Sequence, residues 1–218
     1  TILVQPDLSW KRLAHLGYLR HNAGGGMIAD PVKVALAYCG QAGVTPSEIR
    51  ALGLTPNREE PDLPYLTSSL GRLFDAVAAI IGICRRATFE GEAAIALEKA
   101  AVDAGRLTVK PPAFSGELDP LPILRWVVAQ TISRKPSPQI ALGFHLALVS
   151  GLGETLTSLT KNYRINQVCL SGGSMQNRLL RAGLVKLLSR RGITVYHNEA
   201  VPLNDGGVAI GQVVVPIY

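Results

Sequence analysis

Apolar positions recur along this chain mostly at helical spacing, with a few short runs that fit buried strands. The clearest sequence of elements lies near the C-terminal end. Val168, Cys169 and Leu170 form a short apolar run, and Gln167 to Leu170 is predicted as a strand. A glycine pair follows, and then Leu179, Leu180, Leu184, Leu187 and Leu188 recur at helical spacing, predicting a helix from Gln176 to Arg190. Thr194 to His197 is a second strand, and Gly206 to Val214 a last helix. Upstream, Pro138 to Leu159 carries Ile140, Phe144, Leu148 and Leu152 on one face, and Leu121 to Ile132 carries Leu124, Val127, Val128 and Ile132. Lys135-Pro136-Ser137-Pro138 separates the two.

In the first half, Asp30-Pro31 is a helix start, with Val32, Leu36 and Cys39 expected on its inner face. Thr45-Pro46-Ser47-Glu48 opens a short helical turn. A helix begins near Ser68 or Ser69 and presents Leu73, Phe74, Val77, Ile80 and Ile81, with alanines at 76, 78 and 79 allowing close packing. Another begins after Thr88-Phe89-Glu90-Gly91-Glu92 and runs through Ala94, Leu97 and Ala101. Residues 1–23 show no clear period, although Thr1 to Val4 fits a strand; Gly24 to Gly26, Pro56 to Pro64 and residues 105–122 are expected as loops, with a short strand at Leu107 to Val109. Helix signals outnumber strand signals. The fold class is therefore α/β, organised as a lead segment (1–29), a helical insertion (30–104) and an α/β part (105–218).

Composition narrows the class. Hydrophobic residues make up 47% and charged residues 17% of 218 residues, which excludes a disordered chain and permits a sizeable core. The net charge of +6 permits weak affinity for polyanions, but no run of five basic residues occurs and aromatics are only 6%, so nucleic acid is not expected as a partner. Arg85-Arg86 and Arg190-Arg191 are expected as solvated charges at helix C-termini. Cys39, Cys84 and Cys169 are dispersed, without a CxxC pair, which argues against a disulfide framework or a zinc site and predicts buried free thiols in the cytoplasm. No apolar stretch long enough to span a membrane and no signal-peptide pattern is expected.

Two stretches carry candidate chemistry. Ser171-Gly172-Gly173-Ser174 lies between strand and helix. Adjacent glycines permit positive φ and close backbone approach, and the helix start beyond them offers unpaired N–H groups suited to phosphate. An ordinary strand-to-helix turn uses the same residues. In Asn204-Asp205-Gly206-Gly207, the carboxylate of Asp205 is either a helix cap or a ligand for a hard cation. Four other polar residues have bland explanations. His15 and His21, six apart, do not share a helix face; His145 follows Phe144 on an apolar helix; and Asp75 has Arg72 as an available ion-pair partner at i−3.

Taken together, Ser171-Gly172-Gly173-Ser174-Met175-Gln176-Asn177-Arg178-Leu179-Leu180, Asn204-Asp205-Gly206-Gly207, Thr67-Ser68-Ser69-Leu70-Gly71-Arg72-Leu73-Phe74-Asp75 and Phe89-Glu90-Gly91-Glu92 resemble the C-terminal part of HypF-type carbamoyltransferases, which mature [NiFe] hydrogenases. The same domain is similar to the TsaD family, which makes threonylcarbamoyladenosine on tRNA. The resemblance implies the C-terminal half of an actin-like ATPase (RNase H-like) domain with a helical insertion. It implies ATP or carbamoyl-adenylate as the bound nucleotide, with Ser68, Gly91, Ser171, Gly172, Gly173, Asn177 and Gly206 as nucleotide-binding residues. Asp205 is the implied ligand of a divalent metal (Mg, Fe or Zn), and no catalytic nucleophile is implied. The implied reaction passes a carbamoyl group to the C-terminal cysteine of a HypE-like acceptor. A TsaD-like tRNA-modifying component and a non-catalytic nucleotide-binding or scaffold module remain alternatives. This sequence departs from the family pattern at Ser174-Met175, where Val-Phe is usual, and it lacks the family's His-x-x-x-His metal pair and the acylphosphatase, zinc-binding and YrdC-like motifs. The chain is therefore expected to be a fragment, or a subunit completed by the N-terminal portion of HypF in cis or in trans.

Overall fold

The computed structural model describes residues 1–5, 9–21, 30–55, 65–112, 114 and 118–214. The glycine loop at 24–26 and the proline-rich loop at 56–64 lie outside the described residues. The chain divides into two compact units, Thr1–Gly151 and Leu152–Tyr218.

The first unit starts with an antiparallel hairpin, β1 (Ile2–Val4) with β2 (Trp10–Arg12). A second antiparallel pair joins β3 (Leu19–His21) to β4 (Tyr65–Thr67), in the register Leu19↔Thr67. Of these, only β1 is legible in sequence, because three residues give period-2 alternation almost nothing to act on and β4 lies far from its partner. The helices are α1 (Pro31–Gln41), α2 (Pro46–Ala51), α3 (Leu70–Ile80), α4 (Glu92–Asp103), α5 (Leu121–Ile132) and α6 (Ser137–Tyr163), the last running on into the second unit. Local chemistry sets their starts. Asp30 accepts from the Lys33 N–H, Thr45 and Glu48 form a reciprocal capping box, and Ser69 accepts from the Arg72 N–H.

α3 is the centre of the first unit: every residue from Leu73 to Ile80 is buried. Its alanines let α1 and α4 pack closely against it. Phe74 meets Phe144 edge to face, with ring centroids 5.2 Å apart. α1 turns a different face inward from the one expected. Val34, Ala35, Tyr38 and Cys39 are buried, whereas Val32 and Leu36 are only half-buried, because α1 packs on α3 and α5 together. Where α5 meets α6 the two helices come close enough that a Cβ at Gly143 would stand 2.5 Å from the Trp126 ring.

Four further expectations are corrected. Leu107 to Val109 is not a strand; the Thr108 N–H donates to Gln139 Oε1 at 2.8 Å, so a side chain supplies what a ladder would. Arg85 is exposed as expected, but it is more than a solvated charge: it donates to the Leu52 and Gly53 carbonyls at 2.8 and 3.0 Å, closing the C-terminus of α2. Arg191 is likewise held, by Glu154 and by the Thr157 hydroxyl. The fourth concerns α6. It is 27 residues long, with a window of mean hydropathy 1.3, and so passes the length and composition test for a membrane span. However, 61% of that window is buried inside the chain, as in a core helix.

The second unit contains the C-terminal end of α6 and a β-α-β crossover, with β5 (Gln167–Leu170), α7 (Arg178–Ser189) and β6 (Thr194–His197). The strands are parallel, in the register Gln167↔Thr194. Leu180, Leu184 and Leu188 of α7 are buried. α8 (Val208–Val214) follows, with Val208, Ile210 and Val213 each at least half exposed. Cys169 is exposed, contrary to expectation, while Cys39 and Cys84 are buried. The reason lies in the sheet: two parallel strands leave one face uncovered, and Cys169 and Tyr196 lie on it.

Candidate functional site

The glycine turn does not pass directly into a helix. A 3₁₀ turn, Gly173–Gln176, intervenes, and α7 starts only at Arg178. Gly172 adopts φ +97°, in the left-handed region that glycine tolerates, and its N–H donates to the Leu203 carbonyl at 2.8 Å. That bond joins the first candidate stretch to the loop of the second. The Met175 N–H closes the turn on the Gly172 carbonyl at 2.9 Å. The N–H groups of Gly173 and Ser174 have no partner among the described residues, and a Cβ at Gly173 would meet nothing within 4 Å. The turn is thus pinned behind and open in front, which is the arrangement an anion needs.

Asn177 is 7% exposed and caps α7, its side-chain oxygen accepting from the Leu180 N–H at 2.9 Å. That oxygen is therefore occupied by helix capping. In the second stretch the cap is Asn204, not Asp205: Asn204 Oδ1 accepts from the Gly206 N–H at 3.2 Å. Asp205 is exposed, and its carboxylate makes no hydrogen bond or ion pair among the described residues. It is available as one ligand. No group of three or more His, Cys, Asp or Glu able to hold a metal occurs among the described residues, so the residues described here do not build a metal site by themselves. Gly206 lies beside its neighbours Asn204 and Pro202. Gly207 is the more tightly placed of the pair, since a Cβ there would stand 2.7 Å from the Pro202 carbonyl oxygen.

The Gly172–Leu203 bond therefore joins the glycine turn to the loop that leads into Asp205 and Gly206. Ser68 and Gly91 belong to the first unit. The Ser68 hydroxyl accepts from Arg12 Nη2 at 2.7 Å, and Arg12 Nη1 donates to the Tyr18 hydroxyl at 3.0 Å. Gly91 precedes α4 at φ +83°, with open space where a side chain would project. Arg12 and Leu203 escape the sequence reading, and Asn204 enters it without its capping role. Asn204 and Gly207 carry a sequence signal as parts of the Asn204-Asp205-Gly206-Gly207 run, whereas Arg12 and Leu203 carry none.

The buried titratable groups are structural. Asp75 is 5% exposed, with Arg72 Nη2 at 2.9 Å from Oδ2 but out of line for a hydrogen bond. Burial pushes its carboxyl up to about 6 against the opposing pull of Arg72, with Glu90 adding to the rise. His145 is 1% exposed, packed on Phe74 and Phe144, with Nδ1 at 2.7 Å from the Ala141 carbonyl. Burial lowers its pKa and keeps the ring neutral. Burial pushes the Cys39 thiol up to about 12, which leaves it unreactive.

Residues 1–212 match the family described as "Carbamoyltransferase, Kae1-like Domain, second subdomain". Carbamoyltransferase HypF of Rhodobacter capsulatus is 37% identical over 151 residues, covering 69% of this chain and 20% of that protein. The HypF of Rhizobium leguminosarum bv. viciae is 39% identical over 148 residues, covering 67% of this chain and 19% of that protein. A crystal structure of full-length HypF in its phosphate- and nucleotide-bound form superposes with a TM-score of 0.83 at 30% identity, covering 95% of this chain and 29% of that one. The chain spans about a fifth of the length of these curated relatives. It belongs to the HypF family of carbamoyltransferases and matches the second subdomain of their Kae1-like domain.

Proposed function

We propose that this chain supplies the phosphate-binding half of the nucleotide site in a HypF-type carbamoyltransferase. The observation that carries this is the hydrogen bond from the Gly172 N–H to the Leu203 carbonyl, which brings the open glycine turn and the Asp205 loop into one place. Gly173 and Ser174 present unpaired N–H groups to the phosphate or acyl-phosphate part of ATP or carbamoyl-adenylate, and Ser171 adds a hydroxyl. Asn177 contributes by fixing the start of α7 beside the turn. Asp205 supplies one carboxylate oxygen toward a divalent metal whose other ligands come from elsewhere in the protein, and Gly206 clears space beside it, since a Cβ there would crowd Asn204 and Pro202. Ser68 and Gly91 stand as ribose- or base-side contacts, on the family resemblance alone.

The group transferred is the carbamoyl of carbamoyl-adenylate, and the acceptor is the C-terminal cysteine of a HypE-like protein. These residues bind and orient; none is placed as a covalent nucleophile. The remaining HypF portion, in cis or in trans, completes the actin-like domain. A two-stranded parallel sheet with one bare face and the exposed apolar residues of α8 fit a chain that needs it. The helical insertion at 30–104 is a subdivision of that domain. Free thiols at all three cysteines fit a cytoplasmic setting.

The test is reconstitution: the chain is combined with the remaining HypF portion and carbamoylation of the acceptor cysteine is followed by mass spectrometry. Asp205→Ala should abolish transfer while leaving the circular dichroism spectrum unchanged. Full transfer by Asp205→Ala would remove Asp205 from the site. Nucleotide-independent association of the two portions without any transfer would favour the scaffold reading.

A further inference from the structure

One arginine is bound to the backbone of the glycine turn from the far side. Arg181 lies in the first turns of α7, whose residues Arg178–Ser189 follow the Asn177 cap. Helical side chains lean toward the N-terminus, so Arg181 reaches back over the 3₁₀ turn. Its Nη1 donates to the Met175 carbonyl at 2.6 Å, in a partly buried setting. Met175 in turn donates its N–H to the Gly172 carbonyl at 2.9 Å, and Gly172 donates to the Leu203 carbonyl at 2.8 Å. A continuous set of three hydrogen bonds thus runs from Arg181 through the glycine turn to the residue two before Asp205.

Helix energetics do not account for this placement. No acidic residue stands in the first turn of α7, and a guanidinium at a helix N-terminus opposes the dipole. None of the ion pairs among the described residues involves Arg181. What the side chain satisfies is one backbone carbonyl, in a turn of four residues with few other restraints. Within and beside that turn, the Asn177 N–H donates to the Ser174 carbonyl at 3.3 Å, while the N–H groups of Gly173 and Ser174 have no partner among the described residues.

We propose that Arg181 is a positioning residue: it locks the Gly172–Gly173 turn, and through it the Leu203–Asp205 loop, in the geometry that binds nucleotide. This rests on the nucleotide reading of the turn given above. The N–H groups of Gly173 and Ser174 lie between the Gly172–Leu203 bond and the Met175 anchor, so the anchor at Met175 helps set where they point. Arg181 itself is not assigned contact with the nucleotide.

Two readouts on the same variants test it. Amide hydrogen exchange at Gly172 and Met175 reports the turn without ligand, with Leu184 and Leu188 of α7 as controls for the fold. Calorimetric titration with a non-hydrolysable ATP analogue and Mg²⁺ reports binding. Arg181→Met should speed exchange at Gly172 and Met175 by about tenfold, the scale of one lost hydrogen bond, and weaken nucleotide affinity by a similar factor. Exchange at Leu184 and Leu188 should not change. Arg181→Lys, which keeps a donor and the charge, should recover most of both losses. Unchanged exchange at Gly172 and Met175 in Arg181→Met overturns the proposal. So does an equal rise at Leu184 and Leu188, which would mark a general loss of stability, and so does a loosened turn with undiminished affinity. Failure of the unsubstituted chain to bind the analogue, alone or with the remaining HypF portion, would instead count against the nucleotide reading; the exchange data would still decide whether Arg181 holds the turn.

Discussion

Gly172 and Gly173 are adjacent and look equivalent in sequence, yet they do different work. Gly172 sits at φ +97°, where an L side chain is strained whatever room it has. Gly172→Ala should therefore cost about 1–2 kcal/mol of stability, measured by denaturant unfolding. Gly173 has ordinary φ and open space around its Cβ position, so Gly173→Ala should leave stability unchanged and weaken nucleotide binding by crowding the approach. Asp75 gives a pH prediction at the same scale. Its carboxyl is raised from 3.8 to about 6 in the folded chain, so the folded state holds its proton longer than the unfolded one. Its contribution to stability is then fully present below the unfolded pKa and is lost as pH rises through about 6. Asp75→Asn should gain stability relative to wild type across that window, by up to about 3 kcal/mol, less what is lost in its contact with Arg72. A Tm difference between the two proteins that does not change between pH 4 and pH 7 would contradict it. A third residue corrects the expectation drawn from an apolar run: Cys169 should react rapidly with a thiol reagent in the native protein, while Cys39 and Cys84 react only on unfolding.

At the scale of elements, the helices were legible because most carry several turns of apolar spacing, and α1, α2, α3 and α7 are capped by their own residues. α5 starts and ends where the spacing of Leu124, Val127 and Val128 puts it, and Ser69 marks the start of α3. The crossover β5–α7–β6 was legible for the same reason, since an apolar run, a glycine pair and a leucine repeat follow one another. Of the three-residue strands only β1 was legible, because pairs such as β3–β4 owe their existence to partners far away in sequence. In the site, the residue types were legible and their division of labour was not. Asn177 and Asn204 act as caps, which leaves Asp205 uncommitted, and no local pattern distinguishes a capping asparagine from a binding one. Element packing also makes a direct prediction. Gly143→Ala would force a methyl into the Trp126 ring where α5 meets α6, and should lower Tm by several degrees, as in other overpacked cores.

At the scale of the whole molecule, the family match and the surface bear on the proposed pairing with a further HypF portion. The chain matches a second subdomain, it covers 29% of a full-length HypF structure, and its parallel strand pair leaves Cys169 and Tyr196 uncovered. Sequence motifs carried the family. They could not carry the bare sheet face, because the apolar run of β5 reads as buried on both sides whether or not its covering is present. The central claim is that the glycine turn and the Asp205 loop form one nucleotide-binding place. The measurement that tests it most directly is calorimetric titration of a non-hydrolysable ATP analogue with Mg²⁺, in the presence of the remaining HypF portion, on wild type, Gly173→Ala and Asp205→Ala. The account predicts binding by wild type, a loss of affinity of about tenfold or more in Gly173→Ala, and a loss of the metal-dependent part in Asp205→Ala. Wild-type affinity in both variants would contradict it, and would move the nucleotide away from the turn that Gly172 and Leu203 hold together.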